Sequence, residues 1–239
     1  MKYQTLYQLL LCIIIIVFVS WLSFYMIQEG FTNTKPRIAL LLRGHIRKTF
    51  DNQQLYTFIN KLRQKYRVDI YLTTWNNIET LNSYRFNNKP DNKTSRKLIN
   101  KYFKDIPIRS IQIIHEDDVK LLQTKNKEWF HNYNAKIGWK KMWYGKLKGI
   151  QKMLSSRIKY KTIVNMRIDL WEVKKMCGHI PIRIDTILQK INQAITKQTI
   201  VFLQNKVTTC LDNIYFGPLS KMKRLHTLFH TQLDQIYNK

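Results

Sequence analysis

The sequence predicts an α/β fold, a mainly parallel sheet sandwiched by helices and preceded by one N-terminal apolar helix. Three observations carry this reading. The runs RIALLLRG (Arg37–Gly44) and VDIYLTTW (Val68–Trp75) are continuously apolar over strand length, the pattern of strands buried on both faces. Between them, Leu55, Phe58, Ile59 and Leu62 recur at helical spacing in TFDNQQLYTFINKLRQKY, an amphipathic helix. Strand, helix and strand in short order open a βαβ unit, and the alternation continues to the C-terminus.

The remaining elements follow in order. Residues 76–92 are rich in Asn and include Pro90 and Asp91, so they read as a loop. A helix is expected over Ser95–Phe103, then a strand in IRSIQIIHE that ends at His115 and Glu116. The clearest helix is IGWKKMWYGKLKGIQKMLSSRIK. Trp139, Met142, Trp143, Leu147, Ile150, Met153, Leu154 and Ile158 fall on one face, with Lys140, Lys141, Lys148 and Lys152 mostly off it, and core packing explains the stripe. A strand is expected over Thr162–Ile168, a helix over Asp185–Ile195 and a strand over Thr199–Gln204. A short strand or turn in Cys210–Gly217 and a terminal helix from Leu219 complete the chain. No internal repeat is visible.

Ahead of this domain, Leu9–Ile27 contains no charged residue. About 20 such residues cross a hydrocarbon core of about 30 Å as a helix. Tyr3, Tyr7, Trp21 and Tyr25 lie near its ends, where aromatic rings favour the interface. No small-x-small cleavage pattern follows the run, which favours an uncleaved signal anchor over a removed signal peptide. The expected organisation is a tail at 1–8, a transmembrane anchor at 9–27, a linker at 28–36 and an α/β domain at 37–239. Lys2 on the short side and Glu29, Lys35 and Arg37 on the long side barely decide orientation; the preferred topology is type II, single-pass, with the C-terminal domain luminal or external.

Composition narrows the partners. With 41 Lys and Arg against 15 Asp and Glu, the formal net charge is +26. Such a balance favours anionic partners, whether nucleic acid, anionic lipid or phosphate-bearing small molecules, although codon bias toward Lys, Asn and Ile also raises it. Nucleic acid is disfavoured, because no recognised binding motif is present and the basic residues are scattered. Cys12 lies in the apolar run. Cys177 and Cys210 are compatible with one disulfide or with two buried thiols, and no Cys/His spacing resembles a zinc site. Asn92-Lys93-Thr94 is a glycosylation sequon if that side is luminal.

Ligands of open parallel sheets bind beyond the carboxyl ends of the strands. Here the first strand ends in Arg43, Gly44, His45 and Arg47, the second in Trp75 and Asn76, the third in His115 and Glu116, and the fourth in Arg167 and Asp169; Asp212 and Asn213 form a fifth polar cluster. Gly44 permits a sharp turn and close approach of a ligand, and Arg43 and Arg47 can make forked bonds to phosphate oxygens, with the amides of the next helix adding to an anion site. Arg167 and Asp169, two apart on a strand, share a face. They can be a structural ion pair, or a carboxylate that holds a divalent cation beside an arginine that neutralises a diphosphate.

The set IALLLRGHIRKTF, DIYLTTWN, IGWKKMWYGKLKGIQ, YKTIVNMRIDL and LDNIYFG, in that order, resembles a little-characterised family of predicted glycosyltransferases found in bacterial polysaccharide clusters and large DNA viruses. The match extends over nearly the whole chain after the anchor. The resemblance implies a GT-A, Rossmann-like fold and a nucleotide-sugar donor. It places Gly44 and Arg47 in the donor site together with Arg43, His45, Trp75, Asn76 and Arg167, and Asp212 and Asn213 beside a glycan, protein or lipid acceptor. Such enzymes usually carry Asp-x-Asp for manganese or magnesium. Arg167-Ile168-Asp169 stands in its place with Arg for the first acid, so that either Asp169 holds a metal alone or Arg167 substitutes for part of the metal's charge. The resemblance makes Asp169 and Asp212 the catalytic carboxylates, Asp212 as base or as a hydrogen-bonder to the acceptor. The alternatives are a non-catalytic basic membrane protein that binds anionic lipid, glycan or nucleic acid, and an inactive transferase-like fold.

Overall fold

The structure, a computed structural model, describes residues 13–23, 35–79, 93–119, 133–172, 183–203 and 213–236. It divides into two compact units, Met1–Pro36 and Arg37–Lys239. In the first, residues 13–23 form helix α1, whose side chains are exposed. The expected anchor, Leu9–Ile27, runs past both ends of α1 into residues that are not described. Among the described residues no helix is long and apolar enough to cross a membrane.

The second unit is an α/β domain built on one six-stranded mixed sheet, consistent with a Rossmann-like fold. Its strands are β1 (Arg37–Arg43), β2 (Arg67–Trp75), β3 (Ile108–Ile114), β4 (Thr162–Arg167), β5 (Val201–Phe202) and β6 (Ile214–Gly217), in the spatial order β3-β2-β1-β4-β6-β5. β3, β2, β1 and β4 are parallel; β6 runs antiparallel to β4, and β5 to β6. The helices are α2 (Gln54–Lys65), α3 (Arg96–Phe103), α4 (Tyr133–Ser155), α5 (Ile184–Lys197) and α6 (Leu219–Ile236).

Alternating side chains of each strand feed two separate cores. On one face Ile38, Leu40, Leu42, Ile70, Leu72, Val164 and Met166 meet the apolar sides of α2, α3 and α5. On the other Ala39, Leu41, Tyr71, Ile163 and Tyr215 meet Ile150 and Met153 of α4 and Met222 of α6. Burial on both faces explains why β1 and β2 read as unbroken apolar runs.

Three expectations need correction. The helix after β1 does not start at the strand end: a 3-10 turn at Thr49–Asp51 intervenes, and the amide of Gln54 is capped by Asn52 Oδ1 at 2.8 Å. The strand β4 stops at Arg167, and Ile168–Trp171 form a 3-10 turn. In α4 the stripe is displaced. Trp139 and Leu154 are exposed, whereas Lys140, Lys146, Gly145 and Gly149 join Trp143, Ile150 and Met153 on the buried side. Gly149 explains the close seat of α4, since a Cβ there would lie 2.4 Å from Leu41 Cδ1.

Candidate functional site

The order 3-2-1-4 reverses direction between β1 and β4, because β2 lies on one side of β1 and β4 on the other. The crevice beyond the carboxyl ends of such a strand pair is where open α/β sheets place ligands. β1 and β4 end in register, with Arg43 opposite Arg167, so two arginines flank the reversal. Gly44 then turns the chain with φ +98, a conformation that costs glycine little, and its amide donates to Thr73 O at 3.1 Å. Arg47 also has positive φ, at 50, and its amide donates to Ile78 O at 2.9 Å.

The loops after β1 and β4 are stapled together. Thr49 Oγ1 donates to Ile168 O at 3.1 Å, Asn52 Nδ2 to Trp171 O at 2.9 Å, and the Lys48 amide to Glu172 Oε1 at 3.2 Å. At their centre sits Asp169, its side chain only 3 % exposed. Arg47 reaches one oxygen at 2.8 Å, and Arg167 grips both oxygens in a fork, its Nε lying 2.8 Å from Oδ1. Arg167 also donates to Asn213 Oδ1 at 3.1 Å, and Arg47 pairs with Glu79 Oε1 at 3.0 Å. Forked, charge-assisted bonds of this kind fix guanidinium planes as well as charges. Burial pushes the Glu172 carboxyl up, while the Lys48 amide holds it down, Asp169 and Glu79 repel its charge and Arg47 favours it.

A second network fills the ends of β1, β2 and β3. His45 Nε2 lies 3.0 Å from Glu116 Oε1, and Lys141 Nζ donates to the other oxygen at 2.6 Å. Burial pushes the Glu116 carboxyl up, but the bonds from His45 and Lys141 outweigh it and lower it to about 2. Asn76 bridges this network to β3: its Oδ1 accepts from the Glu116 amide at 3.2 Å, and its Nδ2 lies 3.3 Å from His115 Nδ1. The Trp75 ring is tilted against His45, with centroids 6.0 Å apart.

Beneath the crevice the α4 and α6 side is cationic. Arg43, nearly fully buried, donates from Nε to Asn165 Oδ1 at 3.1 Å. Lys146 is fully buried with Nζ 3.6 Å from the Trp143 ring centroid and 5.3 Å from that of Tyr215. Burial holds His226 well below the usual imidazole range, and Lys146 and Arg43 add to this, so His226 is neutral and its Nε2 lies 2.6 Å from the Tyr215 hydroxyl.

Of the sequence-predicted residues, Arg47, Arg167, Asp169 and Asn213 converge in one network, and His45, Trp75 and Asn76 in the neighbouring one. Arg43 lies below them and Gly44 makes the turn. Asp212, Cys177 and Cys210 lie outside the described residues. Sequence reasoning missed Glu79, Glu172, Lys141, Lys146 and His226, and it noted Glu116 only as a strand end. The one available signal was scarcity: in a chain with 15 acids, each is a candidate partner for an arginine.

The donor set also bears on a divalent cation. Both oxygens of Asp169 already accept from guanidinium groups, and among the described residues no three His, Cys, Asp or Glu side chains group as a metal site. The residues described fit an arginine clamp and do not fit a cation site. Comparison with known proteins finds no matching family model, no matching curated protein and no matching solved structure.

Proposed function

We propose that this chain is a membrane-anchored glycosyltransferase of GT-A type, moving a sugar from a nucleotide-diphosphate donor to a glycan, protein or lipid acceptor. One observation carries the reading: Arg47 and Arg167, from two strand ends, meet on Asp169 where the strand order reverses. Breaking the bond between the sugar carbon and the diphosphate oxygen leaves negative charge on the departing diphosphate. Cations fixed beforehand at that point stabilise the transition state without reorganising during the reaction. Each guanidinium carries five N–H donors in a rigid fork, a geometry that matches phosphate oxygens as well as carboxylate.

In this scheme Asp169 is a positioning residue. It orients the two guanidinium planes toward the donor. Gly44, His45 and Asn76 are assigned to the donor side of the crevice, with Arg43 and Trp75 buried beneath them, and Gly44 keeps the backbone low enough for a ligand to approach. Asn213 is assigned to the acceptor, and Asp212, which lies outside the described residues, is assigned the role of base for the attacking hydroxyl. The apolar stretch Leu9–Ile27 holds the domain at a membrane, in type II orientation.

The test is transfer, or donor hydrolysis, by the full chain in detergent with a panel of nucleotide sugars, with and without manganese. Asp169→Asn and Arg167→Ala are expected to lose at least about 100-fold in turnover, at a temperature where circular dichroism shows each variant folded. Full activity in both would sink the site. The closed pairing of Asp169 favours one rival, a transferase-like fold without activity. That reading predicts no donor-selective thermal stabilisation and no turnover with any donor. A basic binder predicts shifts that ignore the sugar and vanish at moderate salt.

A further inference from the structure

The opposite pole of the sheet holds a second arrangement that the reading above does not use. An open pocket of about 610 Å³ lies at the amino ends of β1, β2 and β3 and the carboxyl end of α4. Its charged lining is Arg37, Arg67, Arg109, Lys152 and one carboxylate, Asp69.

That carboxylate is already neutralised. Arg37 reaches Asp69 Oδ2 from both Nε, at 3.0 Å, and its terminal nitrogen, at 2.7 Å, and the Tyr160 hydroxyl donates to the same oxygen at 2.8 Å. The carbonyls that end α4 form the negative pole of its dipole and are also engaged. Ser155 Oγ donates to Lys152 O at 2.8 Å, Ser156 Oγ to Met153 O at 2.6 Å, and Tyr71 closes the set by donating to Ser156 Oγ at 3.0 Å. What remains is Arg67, Arg109 and Lys152. Among the described residues no carboxylate pairs with any of the three.

Cations around a pocket whose acid and carbonyls are already satisfied form a site for a multiply charged anion. Two arginine forks and one ammonium match the oxygens of a phosphate better than those of a single carboxylate. We propose that this pocket binds a phosphate-bearing group, a pyrophosphate or phosphomonoester, at the pole opposite the candidate catalytic crevice. Two sources share that chemistry, a free polyphosphate and the headgroup of an anionic lipid.

The experiment uses the full chain in neutral detergent at about 0.15 M salt, where exposed charges are screened beyond about 8 Å. Binding is read as the shift of the thermal midpoint during pyrophosphate titration. The double variant R109E/K152E, at two exposed positions away from the crevice, is expected to weaken pyrophosphate binding at least about tenfold. The control K97E/K101E removes equal charge from α3 on the other side of the sheet and is expected to leave binding within about twofold. Equal losses in the two variants, or none in either, would overturn the proposal, because binding would then follow net charge or lie elsewhere. A second arm replaces pyrophosphate with mixed micelles of phosphatidic acid against phosphatidylcholine. A shift specific to phosphatidic acid and lost in R109E/K152E assigns the site to lipid headgroups. Its absence, with pyrophosphate binding retained, assigns it to a soluble polyphosphate.

Discussion

Glu116 shows how one carboxylate orders the loops at the strand ends. His45 comes from the turn after β1, Lys141 from α4 and Asn76 from the end of β2, and all three meet the turn that carries Glu116. Because its folded pKa is lowered from 4.5 to about 2, its contribution to stability is fully present above the unfolded value and is lost as pH falls from about 4.5 toward 2. After allowing for partial solvent screening, the contribution is about 1–2 kcal/mol. Chemical denaturation across pH 2–6 should therefore show a drop in wild type that is missing in Glu116→Gln, whose stability is lower but flatter over that interval. A Glu116→Gln profile parallel to wild type would remove Glu116 from the network. Asp169 likewise ties two loops together, between Arg47 and Arg167, with one difference of geometry. Its fork with Arg167 is local, two residues apart, whereas Arg47 arrives from another strand, so Asp169 fixes the β1 loop to the β4 loop.

Helix α4 decides how closely the sheet is covered, and it does so through residues that an apolar count discards. Gly149 faces the sheet where a Cβ would meet Leu41 Cδ1 at 2.4 Å and Thr73 Oγ1 at 3.2 Å, both on buried residues. Gly149→Ala would gain roughly 1 kcal/mol of helix propensity. The overpacking it forces costs about 1–3 kcal/mol, so the net effect is destabilising. Gly138, in the same helix, has nothing within 4 Å of such a Cβ, and Gly138→Ala should raise stability by about 0.5–1 kcal/mol. Opposite signs in two thermal melts would confirm the seat of α4; stabilisation by both would mean that Leu41 yields. The same helix marks the limit of reading by periodicity. β1, β2 and α2 were legible because long apolar runs or clean stripes leave one solution. The α4 face was not, because Lys140 is buried there by a bond to the His230 carbonyl at 2.7 Å and Lys146 by the Tyr215 ring, 5.3 Å from its Nζ, partners contributed by distant segments. For the site, the i, i+2 spacing disclosed the Arg167–Asp169 pair. Arg47 joins it only through the sheet order, which brings residues more than a hundred positions apart together, and Glu79 follows through Arg47.

At the scale of the whole molecule, charge is distributed unequally between the two poles. Glu79, Glu116, Asp169 and Glu172 stand at the carboxyl ends of the strands, each bonded to an arginine, lysine, histidine or backbone amide. The amino ends keep Arg67, Arg109 and Lys152 around one satisfied acid. Two effects of salt then compete. Screening weakens the ion pairs, which lowers stability; it also weakens the mutual repulsion of a chain with formal net charge +26, which raises it. The pairs at the carboxyl pole involve side chains about nine-tenths buried on their acidic partners, so salt reaches them poorly. The unpaired cations are exposed and fully open to screening. Repulsion is therefore the term that salt removes. Raising sodium chloride from about 20 mM to about 300 mM is expected to raise the thermal midpoint of the full chain by several degrees. The rise should be smaller in R109E/K152E, where part of the repulsion is already gone. A midpoint that falls with salt would mean that the ion pairs around Asp169 and Glu116 are solvent-accessible, and the clamp drawn for the donor diphosphate would then lack the low-dielectric setting on which its strength depends.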